Sequence, residues 1–328
     1  MRKGNLLRLS RRKKLVLLVI FLLIAIFLLI RILHPKDKFI AISAGGDHIL
    51  YLRDDGSIKS LAEDKLSQFS VPKPNKNFKF ISSSGNYALG LKTDGSIVHW
   101  GNTGYGTGDI PEPNSNFISI SAGQVFSLGL KSDGSVEAWG YNRGGKVLVY
   151  GISDYGLCTV PGPNSNFIAI AAGMFHALGL KSNGSIVGWG NNQNGAFNVP
   201  EPNSGFIAIS AGSYHSLGLK SDGSIVAWGA NNAEWCNVPP PNKNFIAISA
   251  GAGFSLGLKD DGSIVAWGSN MYGQCNVPEP NSGFVAISAG YLGAVGLKAD
   301  GSVGIWGYEN LPKPKFLDSW FYRLRRLF

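Results

Sequence analysis

Charge is scarce in this 328-residue sequence, where Asp, Glu, Lys and Arg together make up only 16% against 44% hydrophobic residues. That balance is too apolar for a disordered chain. Cysteine and methionine occur three times each and histidine five times, which leaves little material for a disulfide framework or a metal cluster. No HExxH or P-loop pattern is present, so the common signatures of zinc metalloprotease and nucleotide-binding chemistry are missing. Acids are nearly absent from the two ends. Residues 1–38 carry ten Lys/Arg against Asp37 alone, and residues 312–328 carry five against Asp318. The formal net charge of +9, with a pI near 9.4, would otherwise suggest a nucleic-acid binder. Its concentration in the termini leaves residues 39–311 mildly acidic, with 15 Lys/Arg against 19 Asp/Glu. No nucleic-acid partner is therefore expected.

What is abundant is glycine, at 44 residues, with 16 prolines, too many for a mainly helical chain. One long apolar run also stands out. From Leu15 to Ile30 no side chain carries a polar atom, and Ile32 and Leu33 extend the run past Arg31. At ~1.5 Å per residue, a helix over 15–33 reaches about 28 Å, close to the ~30 Å hydrocarbon core. A cleaved signal peptide would have a shorter apolar region followed by small residues, whereas Arg-Ile-Leu-His-Pro-Lys follows here. The expectation is an uncleaved single-pass signal anchor. Seven Lys/Arg before the span and three after it place the N-terminus in the cytosol and the body outside it, periplasmic or extracellular.

The body is a set of repeats. Aligned on their opening aromatic, seven units start at Phe39, Phe78, Phe117, Phe167, Phe206, Phe245 and Phe284, spaced 39 residues apart except for one interval of 50. Eleven extra residues after Trp139, near Gly140–Tyr150, account for the longer interval. Six units carry Trp at one place, from Trp100 to Trp306, and the first has Leu61 there. Short β-branched runs such as FIAIS, HSLGLK and SIVAW, punctuated by Asp-Gly or Asn-Gly turns, predict antiparallel strands A, B and C. The C-N-V segment predicts a short fourth strand, D, ended by proline. One such unit cannot bury its faces alone, but seven arranged radially can. The predicted fold is an all-β, seven-bladed β-propeller with an N-terminal transmembrane helix. The expected boundaries are a basic cytosolic segment 1–14, a span 15–33, a linker 34–38, a propeller 39–314 and a basic amphipathic tail 315–328.

ISAGGDHILYL from Ile42, IAAGMFHALGL from Ile170 and ISAGSYHSLGL from Ile209 resemble the regulator of chromosome condensation repeat. The resemblance runs from Phe39 to about Pro314. The short, regular unit is more similar to bacterial members such as β-lactamase inhibitor protein II than to the eukaryotic exchange factor. It implies a seven-bladed propeller that works through protein contacts. Function still has to be argued from sites.

The two ends of such a propeller differ within this one sequence. The B-C turns repeat Asp-Gly-Ser, with Asn183-Gly184-Ser185 the single departure, and the links from D to the next A repeat Pro-x-Pro-Asn. The A-B turns and C-D loops vary freely, for example Gly85-Asn86, Gln124-Val125, Met174-Phe175, Ser213-Tyr214 and Tyr291-Leu292. A surface that reads an asymmetric partner must differ from blade to blade, so the A-B/C-D end is the expected binding face. Candidate contacts to an unknown protein partner are Met174, Phe175, Tyr214 and Tyr291 from the turns, with Tyr105, Tyr141, Arg143, Tyr155, Trp235 and Tyr272 from the loops. The competing reading is that about half of these fill gaps between blades. Asn183 is formally a glycosylation acceptor, though its turn role explains it.

In the tail, apolar residues including Trp320 and Phe321 fall at helical spacing opposite Arg323, Arg325 and Arg326. This is the composition of an interfacial helix, with docking on the propeller as the alternative. Cys158, Cys236 and Cys275 share one repeat position, and His48, His176 and His215 share another. Equivalent atoms of adjacent blades lie ~10 Å or more apart, too far for a disulfide, so both sets read as structural. No catalytic residue, metal or cofactor is expected, and the propeller is expected to be monomeric. The reading carried forward is a membrane-anchored interaction module without catalysis. The alternatives are a guanine-nucleotide exchange factor, implied by the resemblance, and a binder of envelope glycans.

Overall fold

The computed structural model describes residues 38–46, 48–62, 70–141, 156–192 and 194–307. The chain divides into two units, Met1–Lys38 and Phe39–Phe328, and the architecture below belongs to the second. The span at 15–33 and the tail at 315–328 lie outside the described residues, as do Arg143, Tyr155, Trp320, Phe321, Arg323, Arg325 and Arg326. Among the described residues no helix is long and apolar enough to cross a membrane.

Every repeat forms one antiparallel sheet of three strands, giving seven sheets. In the fifth, strand A is Phe206–Ala211, strand B His215–Lys220 and strand C Ile225–Gly229. The A strands neighbour one another around the ring and form its inner wall. The opening Phe of strand A is buried in every blade, and strand B gives it room. Six blades have glycine at the fourth position of B, and a Cβ at Gly218 would sit 2.5 Å from the Phe206 ring. The first blade has Tyr51 instead, and its ring packs on Phe39 at 4.9 Å between centroids.

Two features depart from the simple strand reading. A β-bulge after the opening Phe interrupts the A-B register in all seven blades, as between Phe206 and Ala208. The extra residue turns outward, leaving Ile40, Ile118, Ile168, Ile207, Ile246 and Val285 about half exposed. The expected D strand is not formed among the described residues. In its place the asparagine of Pro-x-Pro-Asn clamps the outer edge of strand C. Ile186 N donates to Asn203 Oδ1 at 2.8 Å, and Asn203 Nδ2 donates to Ile186 O at 2.9 Å. Asn75, Asn114, Asn164, Asn242 and Asn281 accept in the same way from the residue opening their own C strand. Prolines cannot donate to a ladder, whereas one side-chain amide offers the donor and acceptor of a peptide group.

The ring closes by packing and hydrogen bonds, without a sheet shared between the first and seventh blades. The first A strand pairs with B of its own blade, Ala44 against Ile49, and does not complete the seventh sheet. Phe39, Ile49 and Tyr51 share one core cluster with Val295 and Leu297. Ala44 N donates to Ser288 Oγ at 2.9 Å, and Tyr291 N donates to Gly45 O at 3.2 Å.

Candidate functional site

The B-C/link end is built seven times to one plan. Asp222 Oδ1 accepts from Ser224 N at 2.9 Å and from Ser224 Oγ at 2.6 Å. These bonds hold its carboxyl below the usual carboxylate range. Asn183 serves its turn identically, accepting from Ser185 N and Oγ. Lys220 Nζ sits 4.0 Å from the centroid of the Phe206 ring while donating to the carbonyls of Pro202 and Ser204 in the link. Repeated geometry of this kind satisfies the backbone and offers nothing distinctive to a partner.

The opposite end is individual. Beneath it lies a buried belt made by the first residue of strand B and the second residue of the next blade's B. Ser216 Oγ donates to Ala196 O at 2.6 Å, so it must accept from His176 Nε2 at 2.8 Å, which assigns that ring proton. His215 Nε2 pairs with Ser255 Oγ at 2.9 Å, and the Tyr87 hydroxyl reaches Ser127 Oγ at 2.8 Å. Burial lowers the imidazole pKa of His176 to about 3 and of His48 and His215 to about 4, so all three are neutral at physiological pH. They are structural, as expected. No cluster of three or more His, Cys, Asp or Glu able to hold a metal occurs among the described residues.

Above the belt, the channel mouth is ringed by small residues such as Ala172, Gly173 and Gly212, with Gln124, Met174 and Tyr291 at its rim. The Tyr291 hydroxyl donates to Gln124 Oε1 across the mouth, joining the seventh blade to the third. Burial raises the Tyr291 pKa, so this donor stays protonated. The rings of Phe175 and Tyr214 meet at 5.9 Å, and Phe175, Met174 and Tyr105 line one groove over the second to fourth blades. Five of the expected contacts thus gather around the mouth.

Tyr105 is 38% exposed and holds φ 68° and ψ 10°, the left-handed region. An L-residue there costs on the order of 1–2 kcal/mol. Its equivalents Asn194, Ala233 and Tyr272 are not among the positive-φ residues. The next loop position also has positive φ and is glycine in four blades, Gly106, Gly156, Gly195 and Gly273, but Glu234 in the fifth, at φ 59°. Tyr105 and Glu234 are thus held in the left-handed region on this face, whereas the non-glycine residues with positive φ in the opposite links, Asn77, Asn116, Asn166 and Asn244, are all asparagines, which tolerate it better.

Other expected contacts are placed differently. Tyr141, only 7% exposed, belongs to the core beside Val125, Phe126 and Leu157 and supports the Tyr105 ring edge-on at 5.9 Å. It is a packing residue and not a surface contact. Trp235 is half-buried, lies 5.8 Å from His215 and covers Gly253 so closely that a Cβ there would meet it at 3.0 Å. It fills the gap between the fifth and sixth blades. Tyr272 is 40% exposed, and beside it Met271 reaches 81%. Met271 and Leu292 were not singled out in the sequence, because an exposed aliphatic side chain in a variable loop carries no periodic signal. The tryptophans that mark the repeats tie loops down: Trp139, Trp189, Trp267 and Trp306 each donate Nε1–H to a loop carbonyl of the preceding blade.

The cysteines are free and half-buried. Burial raises the Cys236 and Cys275 thiols to about 11, leaving them protonated and poorly nucleophilic near neutrality.

Comparison with known proteins supports the same architecture. The model of the regulator of chromosome condensation (RCC1) repeat matches residues 167–196, 206–233 and 245–274. No curated protein matches the sequence. Among solved structures, the CRINKLY WD40 ectodomain of the Arabidopsis thaliana receptor kinase ACR4 superposes with a TM-score of 0.64 at 21% identity, over 84% of this chain and 99% of that one. The ectodomain of the Physcomitrella patens receptor kinase CR4 gives 0.63 at 24%, over 81% and 72%. Yeast RCC1 (Prp20), solved with Kap60 bound, gives 0.63 at 18%, over 84% and 81%. At these identities the similarity establishes the fold. Three of the seven blades thus match the regulator of chromosome condensation repeat, and the other four sheets share their three-strand pattern.

Proposed function

We propose that this protein is a non-catalytic, membrane-anchored interaction module that binds a protein partner through the A-B/C-D end of its propeller. The observation that carries the reading is the asymmetry between the ends. One repeats a single solution seven times, and the other holds Tyr105, Met271, Tyr272 and Leu292 exposed, with Tyr105 and Glu234 in strained backbone. Residues 15–33 supply the anchor, with residues 1–14 cytosolic and the propeller outside. In the tail, Trp320, Phe321, Arg323, Arg325 and Arg326 lie along the bilayer surface. Similar folds occur in a receptor ectodomain and in a protein crystallised with Kap60, so the architecture accommodates both an external setting and protein partners.

Photo-crosslinking in intact cells from residues replacing Tyr272 and Tyr214 tests the face. Specific protein adducts are expected there and not from a control at Ser224. Protease added outside intact cells should shave off the propeller. A protected propeller would overturn the anchored arrangement and favour a cytosolic regulator of the exchange-factor kind.

A further inference from the structure

Resting on that reading of the variable end, we infer that the groove over the second to fourth blades is a binding site for an uncharged, extended peptide segment that inserts one apolar side chain. The groove opens about 860 Å3 of space, including its solvent-open mouth. Its walls combine Tyr105, Met174 and Phe175 with the amides of Asn86, Asn102 and Gln124, and among the described residues no charged one lines it. Such a lining penalises a charged occupant, which would lose hydration and find no counter-charge. It favours an apolar anchor flanked by backbone.

The amides point to a peptide. Asn102 Oδ1 is used by Gly104 N and Gln124 Oε1 by Tyr291, but the Asn102 Nδ2 and Gln124 Nε2 groups and the whole Asn86 side-chain amide make no hydrogen bond among the described residues. Elsewhere in this chain, asparagine amides already hold backbone in this way, as where Asn203 takes both the N–H and the C=O of Ile186. The groove presents the same chemical group, unoccupied, beside an aromatic ring kept exposed by an unfavourable backbone conformation.

That conformation supplies a discriminating variant. In Tyr105→Gly the positive φ becomes unstrained while the ring disappears. A packing role for Tyr105 predicts a lower Tm in this variant. An anchor role predicts an unchanged or higher Tm together with lost binding. The probe is a phage-displayed library of seven-residue peptides panned on the full-length chain in detergent micelles, with enriched sequences resynthesised with capped ends and titrated. Enriched peptides should lack Asp, Glu, Lys and Arg and share one aromatic or aliphatic residue. Their Kd should rise at least tenfold in Tyr105→Gly and in Asn86→Ala. No enrichment, enrichment of charged peptides, or a lower Tm in Tyr105→Gly would overturn the inference. So would glycan-array binding that Tyr105→Gly abolishes in the absence of any peptide, which would assign the groove to sugars. Peptides unaffected by Tyr105→Gly but weakened by Met271→Ser would overturn the groove while keeping the variable end. Failure of the Tyr272 crosslinks overturns the wider reading independently.

Discussion

At the scale of single residues, the belt beneath the variable end follows a pairing rule between neighbouring blades at every junction but the first, where His48 is answered by Ala88. Where strand B opens with His176, His215 or Tyr87, the next blade answers with Ser216, Ser255 or Ser127. Where it opens with Phe126 or Phe254, the answer is Ala177 or Ala294. A buried polar group left unpaired costs about 1–3 kcal/mol, while replacing both partners by apolar groups can be nearly neutral. Ser255→Ala alone should therefore destabilise the fold by about that amount in urea titration. Pairing it with His215→Phe, which copies the Phe126–Ala177 arrangement, should recover most of the loss. The same pair governs acid behaviour. The folded His215 pKa of about 4 lies below the unfolded value of 6.5, so the unfolded chain takes up a proton first as pH falls. Stability from this site is intact above pH ~6.5 and is lost toward pH ~4, by an amount on the order of 3 kcal/mol. Urea midpoints at pH 7 and pH 4.5 should lie closer together in the double variant than in the parent. Similar losses would reveal a different source of acid sensitivity.

At the scale of the blade, the sheet is narrow because its outer edge is finished by a side chain. Each clamp satisfies a donor and an acceptor of an edge strand with one asparagine amide, and so closes an edge open to further pairing. Asn203→Leu should strip both bonds from Ile186 and cost roughly 1–3 kcal/mol, with amide hydrogen exchange quickening at Ile186. Exchange unchanged at that residue would mean that the clamp does not protect the edge. The glycine at the fourth position of strand B is a matching requirement on the inner side. Gly218→Ala drives a methyl into the Phe206 ring and should lower stability by about 1–3 kcal/mol through overpacking. The asparagines were visible in the sequence only as turn residues. Their pairing is a contact over 17 residues, and a periodic pattern of strands does not reveal when a side chain substitutes for one. The bulge escaped notice for a related reason. It is a mismatch in count between two strands, and either strand read alone looks regular.

At the scale of the whole molecule, blades are joined around the channel by a ring of serines in strand A. Ser43, Ser82, Ser121, Ser210, Ser249 and Ser288 each accept from a backbone N–H of the following blade. The fourth blade has Ala171 at this position, so its junction with the fifth lacks the bond. Ala171→Ser should complete the ring and raise stability by about 0.5–1.5 kcal/mol, read as a higher Tm. Ser288→Ala, at the one junction without covalent continuity, should lower it. A fall in Tm for Ala171→Ser would show that the site cannot take a hydroxyl. The exposed residues also divide at this scale. Those of the inner strands follow the sevenfold pattern except for Phe80, while Tyr105, Met271, Tyr272 and Leu292 break it and gather on one end.

The repeat period, the alternation of short strands with Gly turns and the contrast between constant and variable turns were determined by the sequence alone, because each is local or recurs at a fixed interval. They were sufficient for the propeller and for the end that differs from blade to blade. Which aromatics of that end face solvent was decided only by tertiary structure. Tyr141 and Trp235 are no less aromatic than Tyr105 and Tyr272, but neighbouring blades close over the first pair and leave the second open. Burial depends on atoms contributed by the adjacent repeat, and no single repeat encodes its neighbour's position.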